Sequence, residues 1–435
     1  MKRTLIKNTN DFRGQEVLLK GYLNTVRAHG QLVFADLRDF TGIIQLVGNK
    51  SLNLKEESIV EIRGIIKDCG EKYFNDKIIT GKIEVEVKDV KTLFTPPDFP
   101  FDIHQPDLNV SLPVLLDNRS VSFRNQKVAE IFKIQETIVK TFREFLSQED
   151  FTEIQIPTIV ATATEGGSEL FPIDYFGKKA YLAQSPQFYK QIMVSVFERV
   201  FTVAHAYRAE PSVTTRHITE YVGLDAEMGF IDSWEDVVNM ADSVVKAIFE
   251  AVYQKHKIEV PKTVDKTPTL KLSDAKEIIF ERTKRDIRKE PDLDPEGERE
   301  ICKYALEKFG SDIIFITHFP TKKRPAYAYP DPENPEETLS FDLLGKGVEW
   351  ITGGQRIHDY EQLKTSFQSR GINIDSFEKP YFEAFKFGMP PEGGFCIGLE
   401  RITQNILGLE NIREASLFPR DMERVDIRLN KGDEK

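Results

Sequence analysis

Cysteine is scarce in this chain. Only Cys69, Cys302 and Cys396 occur in 435 residues, and they lie far apart. No CxxC pair is present, so neither a structural zinc site nor a disulfide framework is supported, and a reducing, cytoplasmic setting is expected. There is no run of about 18 apolar residues, so no transmembrane helix and no membrane partner are expected. The opening MKRTLIKNTNDFRGQ is basic at its start but has no apolar core, so no signal peptide is expected. The pattern GxxxxGK[ST] is missing, which excludes a P-loop nucleotide site. Internal repeats and low-complexity tracts are also missing. Positive charge is in deficit: 59 Lys and Arg against 70 Asp and Glu leave a formal net charge of −11. That argues against a surface coated in nucleic acid. It leaves room for a local basic groove, because binding follows the local field.

What is present reads as a soluble globular chain long enough for two or three domains of about 150 residues each. Residues 1–95 hold five strand-like runs: EVLLKGYL, QLVFADLRD, GIIQLVG, SIVEIRGIIKD and KIEVEVKDVKTLF. Turn residues separate them, as in a small β barrel of the OB type. The proline-rich TPPDFPFDIHQPD follows, and residues 96–118 are read as a linker or hinge. Residues 119–435 read as a larger α/β (α+β) domain. From Gln126, the residues Val128, Ile131, Phe132, Ile138, Val139, Phe142 and Phe145 recur at helical spacing. DSWEDVVNMADSVVKAIFEAVYQKH is a second helix, with Ser233 and Asp236 spaced as a capping box. Strands 201–206 and 222–231 are joined too closely for a crossover helix, so a mixed or antiparallel sheet is expected.

In QLVFADLRD, Val33, Ala35 and Leu37 share one face, while Leu32, Phe34, Asp36 and Arg38 share the other. An aromatic among charges is either packed under a loop or a stacking platform for an unpaired base. On the second reading Gln45 supplies base-selective hydrogen bonds, and Arg27 and Arg38 meet phosphates.

The larger domain concentrates charge where a core is expected. YRAEPSVTTRHITEY, Tyr207 to Tyr221, connects two core strands. Arginine grips phosphate or carboxylate with a rigid fork. Glutamate can orient an arginine, accept from an amino group or help to hold Mg²⁺. Arg208, Glu210, Arg216, His217 and Glu220 could together clamp a nucleotide triphosphate, with Tyr221 against a purine; the alternative is a solvated hairpin of surface ion pairs. GGFCIGLERI, from Gly393, reads as a glycine turn entering a helix with Arg401 in its first turn. Glu349 and Thr352, with Asp342 seven residues before the glutamate, offer oxygen ligands suited to Mg²⁺. In LAQSPQFYKQ, Ser185 reads as an N-cap and Pro186 as the first helical residue. Gln187, Lys190 and Gln191 then share a face. A lysine in the first turn opposes the helix dipole unless an anion sits nearby.

FREFLSQEDFTEIQIPTI, YRAEPSVTTRHITEY and GGFCIGLERITQNILGL resemble, in that order, motifs 1, 2 and 3 of the class II aminoacyl-tRNA synthetases. With the OB-like domain in front, the resemblance is to subclass IIb, and it covers nearly the whole chain. TATEGGSELF, LAQSPQFYKQ, VGLDAEMGF and TGGQRIH resemble the aspartyl members in their compact archaeal and eukaryotic form. The resemblance implies a six-stranded antiparallel sheet flanked by helices, a homodimer through motif 1 and an OB-fold that binds the anticodon. It implies ATP, Mg²⁺, L-aspartate and tRNA-Asp, with tRNA-Asn as a second acceptor in some members.

For the site, it implies that Arg208 grips the α-phosphate and the substrate α-carboxylate. Arg401, His217 and Arg216 meet the γ-phosphate side, and Glu210 and Tyr221 hold the adenine. Glu349 and Thr352, near Asp342, carry the metal. Lys190 and Arg356 pair with the aspartate side chain, Gln187 and Asp225 with its amino end, and Glu165 closes over the amino group. Two cations converging on one pocket favour a carboxylate over an amide. Cys396 and Trp350 depart from the family pattern, and the sequence offers no account of Trp350. The rival readings are an asparaginyl-tRNA synthetase, a synthetase-derived asparagine synthetase and a non-charging paralogue that binds tRNA.

Overall fold

The computed structural model describes residues 1–52, 54–76, 78–162, 169–211 and 214–429. The chain divides into two compact units, Met1–Val110 and Ser111–Lys435. The division falls inside the stretch 96–118.

In the first unit, β1 (Glu16–His29), β2 (Leu32–Asp39), β3 (Gly42–Asn49), β4 (Ile59–Asp68) and β5 (Ile83–Phe94) close a barrel in the order β1-β2-β3-β5-β4. The expected alternation holds. Val33, Ala35 and Leu37 are buried with Leu19, Leu46 and Ile62 in the barrel core, while Phe34, Asp36 and Arg38 face outward.

The second unit is built on an eight-stranded sheet. Its strands are β6 (Thr152–Glu153), β10 (Arg199–Tyr207), β11 (Glu220–Gly229), β12 (Thr269–Lys271), β13 (Ile313–Thr317), β14 (Ser340–Gly345), β15 (Val348–Arg356) and β16 (Glu392–Gly398). A small side sheet takes β7 (Ile159–Val160), β8 (Pro172–Tyr175) and β9 (Lys178–Leu182). The large sheet runs β12-β13-β14-β15-β16-β11-β10-β6. Its six central strands are antiparallel, and the short edge strands β12 and β6 pair in parallel with their neighbours.

Two long helices, Gln126–Gln148 and Trp234–His256, bury their apolar faces against one side of this sheet. The second helix starts at the expected capping box. The Ser233 side chain accepts from Glu235 N–H at 3.2 Å, and Asp236 accepts from Ser233 N–H at 3.1 Å. Leu224, Ala226 and Met228 of β11 and Phe395 and Ile397 of β16 enter this core. Period-2 alternation therefore turns Asp225, Glu227, Gly394 and Cys396 to the opposite face. A second core, rich in aromatics, holds the Gln187–Phe197 helix there; Phe188 stacks on Tyr381 with centroids 4.0 Å apart. No helix of the described residues is long and apolar enough to cross a membrane.

Candidate functional site

The cross-strand register lays out one end of the site. On the face turned from the helices, Thr352, Cys396 and Asp225 form one row across β15, β16 and β11. Gly354, Gly394 and Glu227 form the next row, and Arg356, Glu392 and Gly229 the third. Gly394 is required here, because a Cβ on it would lie 2.0 Å from Glu227 Oε2. Lys190 enters from the Gln187–Phe197 helix. Its Nζ is 3.0 Å from Asp225 Oδ1 and 3.0 Å from Glu227 Oε2. Arg356 donates through Nε to Glu227 Oε1 at 2.8 Å and through a terminal nitrogen to Gly394 O at 3.0 Å. All of these charges are buried. Burial works to lower the Lys190 pKa, but Glu227 and Asp225 outweigh it and hold it above the usual lysine range. Burial likewise works to raise Glu227, and Arg356 and Lys190 hold it low.

This arrangement corrects the expectation of two cations waiting for an anion. Lys190 and Arg356 are already compensated by Asp225 and Glu227, so the anions near the lysine belong to the protein. Ser185 caps the helix in substance, its Oγ accepting from Gln187 N–H at 3.0 Å, while Pro186 stands just outside the regular turn rather than as its first residue.

The nucleotide end lies beside it. The β10–β11 pairing continues past the strands, with Arg208 N–H donating to Thr219 O at 2.9 Å. The Arg208 guanidinium sits 5.4 Å from the centroid of the Tyr221 ring. One cleft is lined by Arg208, Glu210, Arg216, His217, Tyr221, Glu349 and Arg401. A second cleft is lined by Gln187, Lys190, Asp225 and Arg356. Arg208, Tyr221, Glu349, Thr352 and Cys396 line both. Glu165 lies outside the described residues, and Glu220 faces His205 at 3.2 Å instead of lining either cleft.

Burial, then Arg401, hold the His217 pKa below the usual histidine range. Arg216 is engaged by Glu298 at 2.9 Å and by Gly347 O at 3.1 Å. Burial pushes Glu298 up to about 7 despite that arginine. The GGFCIG segment is strand β16 and not a turn; only Gly398 stands at the junction with the Leu399–Leu407 helix. Its glycines serve strand packing. Arg401 is in the first turn of that helix, 3.5 Å from Glu349 Oε1.

Glu349 and Thr352 are three residues apart on a strand, a spacing that normally puts side chains on opposite faces. A bulge reconciles them. The β14–β15 register passes from Leu343 opposite Ile351 to Leu344 opposite Glu349, which leaves Trp350 as the extra residue. Trp350 and Ile351 both enter the core, while Glu349 and Thr352 both face the cleft. This accounts for Trp350, which packs edge-on to Phe249 at 5.8 Å over Gly345.

Asp342 stands opposite Thr352 on β14. It is buried, and its Oδ1 has no hydrogen-bond partner. Its Oδ2 is 2.8 Å from Arg324, which also donates to Thr352 Oγ1 at 3.2 Å. Burial raises the Asp342 pKa, opposed by Arg324. Two carboxylates and a hydroxyl, with one buried oxygen orphaned, suit a hard divalent cation. No group of three or more His, Cys, Asp or Glu among the described residues could hold a metal ion, so such a cation would draw its other ligands from phosphate or water.

Three residues escaped the sequence reading: Glu227, Glu298 and Arg324. Glu227 carried a readable signal, because Asp225 and Glu227 put two carboxylates on one face of an otherwise apolar strand.

On the barrel, Arg27, Phe34 and Val47 form one outward row and Thr25, Asp36 and Gln45 the next. Arg27 is 3.4 Å from Asp36. Arg38, expected to meet phosphate, instead holds Glu57 at 2.7 and 2.9 Å.

Comparison with known proteins matches residues 111–422 to the family described as tRNA synthetases class II (D, K and N), and residues 17–93 to the OB-fold nucleic acid binding domain. The chain is 42% identical to the aspartate–tRNA(Asp/Asn) ligase of Deinococcus radiodurans, over 98% of its own length and 99% of that protein's. It is 37% identical to the aspartate–tRNA(Asp) ligase of Pyrococcus furiosus, over 98% and 100%. The solved asparaginyl-tRNA synthetase of Pyrococcus horikoshii, complexed with asparaginyl-adenylate, superposes with a TM-score of 0.87 at 28% identity, covering 98% of this chain and 99% of that one.

Proposed function

The chain belongs to the class II tRNA synthetases of the aspartate, lysine and asparagine group, and we propose that it is an aspartate–tRNA ligase acting in the cytoplasm on tRNA-Asp and tRNA-Asn. The observation that carries the reading is the junction of the two clefts. A pocket bearing Lys190 and Arg356 meets a cleft bearing Arg216 and Arg401, and the two share Arg208.

In the first step an α-carboxylate oxygen of aspartate bonds to the α-phosphorus of ATP, and pyrophosphate leaves. In the second, the terminal ribose hydroxyl of the tRNA takes the aspartyl group, and AMP leaves. No side chain acts as a nucleophile. The protein's contribution is orientation and charge neutralisation. Arg208, on the shared wall, holds the α-phosphate and α-carboxylate together. Arg401, Arg216 and His217 receive the terminal phosphates, for which Arg216 exchanges Glu298. Tyr221 and Glu210 hold the adenine. Gln187 and Asp225 face the amino group, with Glu165 as a further partner for it. Lys190 and Arg356 receive the side-chain carboxylate. Glu349, Thr352 and Asp342 would hold Mg²⁺, which when bound neutralises phosphate charge. The barrel's Phe34, Gln45 and Arg27 read the anticodon. A homodimer through the motif 1 segment belongs to the same reading.

The charge argument alone does not choose aspartate, because the pocket's cations are compensated; the relatives' names carry that choice. The proposed second acceptor follows the Deinococcus radiodurans relative, the more similar of the two ligases. The test is charging of tRNA-Asp and tRNA-Asn transcripts with labelled aspartate, side by side. Charging of both supports the proposal. Charging of tRNA-Asp alone removes the second acceptor. Failure with both, together with no aspartate-dependent ATP–pyrophosphate exchange, overturns the reading.

A further inference from the structure

Behind the aspartate pocket lies a buried carboxyl that the proposed mechanism does not use. Glu392, on β16, is fully buried and diagonal to Glu227 across the sheet. Its Oε1 accepts from Gln191 Nε2 at 2.7 Å, and Gln191 Oε1 accepts from the Tyr381 hydroxyl at 3.0 Å. The Glu227 carboxylate is within hydrogen-bonding reach of it. Glu227 Oε2 has Lys190 Nζ at 3.0 Å, whereas Glu392 Oε2 is buried without a hydrogen-bond partner. Two carboxylates in contact cannot both be ionised cheaply in a buried site, and a proton on Glu392 turns its orphaned oxygen into a donor to Glu227.

We propose that Glu392 is a positioning residue for the amino-acid pocket: as a neutral acid it donates to Glu227, and so fixes the carboxylate that orients Arg356 and Lys190 toward the substrate side chain. The inference rests on the aspartate–tRNA ligase reading. Glu392 keeps the proton, because burial and then Glu227 push its pKa well up, while Arg356 and Lys190 hold Glu227 ionised. The charged and titratable groups around the pair are Lys190 from its helix, Arg356 from β15, Asp225 from β11, Tyr381 from the segment Glu378–Phe382 and Tyr327 beside Arg356. With Glu392 neutral, these charges balance. Loss of its proton would add a negative charge behind a pocket that must accept an anion.

The roles separate in ATP–pyrophosphate exchange measured against pH for the full chain, Glu392→Gln and Glu392→Ala. Gln can accept from Gln191 and donate to Glu227, as the acid does. The Ala variant should raise the aspartate KM by about tenfold or more, the equivalent of one lost hydrogen bond to a charged group, and leave the ATP KM within about twofold. The Gln variant should restore the aspartate KM. The full chain should lose aspartate affinity on the alkaline side as the shared proton departs, and the Gln variant should lack that limb. A folded Ala variant with an unchanged aspartate KM, or a Gln variant that keeps the alkaline limb, overturns the proposal. Should the Ala variant fail to fold, the Gln pH profile decides alone. Absence of aspartate-dependent exchange in the unmodified protein overturns the functional reading itself, a different outcome.

Discussion

A Cβ placed on Gly345 would lie 2.1 Å from Cζ2 of Trp350. The indole occupies that space because the bulge in β15 turns both Trp350 and Ile351 into the core. Gly345→Ala should therefore force the ring outward and disturb the bulge. Overpacking of this kind costs about 1–3 kcal/mol. The shift should also move Glu349 and Thr352, raising the ATP KM. Gly310 is the comparator: a Cβ there meets nothing within 4 Å, though its φ is +72°, and Gly310→Ala should cost about 1 kcal/mol with no kinetic effect. Urea midpoints and exchange kinetics on both variants check this; equal midpoints would mean that the core absorbs the methyl.

The same bulge marks a boundary of what the sequence discloses. Strand-like runs between turn residues located all five barrel strands, and apolar runs of core character located the two flanks of the β10–β11 hairpin, where β11 is buried without interruption from Gly223 onward. Glu349 and Thr352 were recognisable as oxygen donors by residue type, but not as neighbours on one face, since a regular strand would separate them. The extra residue that reunites them leaves no trace in the hydropathy pattern. The pairing of Glu227 and Glu392 was hidden for another reason. Glu227 lies in a run that reads as core and Glu392 beside a segment read as a glycine turn, and their partners come from a helix and neighbouring strands distant in sequence. Charge compensation is a property of the assembled pocket, so Lys190 looked bare where it is paired.

Removing Lys190 should therefore damage stability as well as catalysis. Lys190→Met keeps much of the volume but leaves Asp225 and Glu227 short of one buried cation. Breaking a buried pair in this way costs about 3–5 kcal/mol. Adding Asp225→Asn should recover part of that loss without restoring aspartate activation. The readout is a double-mutant cycle from denaturant unfolding. Additive losses in the cycle would show that the two groups do not interact.

Glu400 supplies a pH-dependence with a definite sign. It lines the nucleotide cleft and accepts from Val222 N–H at 3.1 and 3.3 Å, and burial pushes its carboxyl up to about 7. The folded pKa thus lies above the unfolded value of about 4.3. Its contribution to stability is fully present below the unfolded value and is lost as pH rises through about 7. Glu298, also raised to about 7, adds a loss of the same sign. Glu400→Gln keeps an acceptor for Val222 and removes one titration. Between about pH 4.5 and 7 its stability should fall less steeply than that of the unmodified protein, by up to about 1.4 kcal/mol per pH unit. Parallel stability curves for the two proteins would place the Glu400 titration outside that window.

Phe34 separates recognition from chemistry. It is half-buried on the outer face of the barrel, between Arg27 and Val47 and next to the row that holds Gln45. Its cross-strand neighbour Arg27 is already held at 3.4 Å by Asp36, so the ring has a charged but partly neutralised surround. Stacking on one base is worth about 1–3 kcal/mol. Phe34→Ala should therefore raise the tRNA KM by roughly five- to hundredfold. ATP–pyrophosphate exchange, which needs no tRNA, should stay unchanged. Phe34→Tyr keeps a π face and should retain most of the affinity, whereas Phe34→Leu keeps apolar area alone and should not. If Leu and Tyr perform alike, the ring packs under a loop and stacks on nothing, and the base-reading role passes to other outward residues of the barrel.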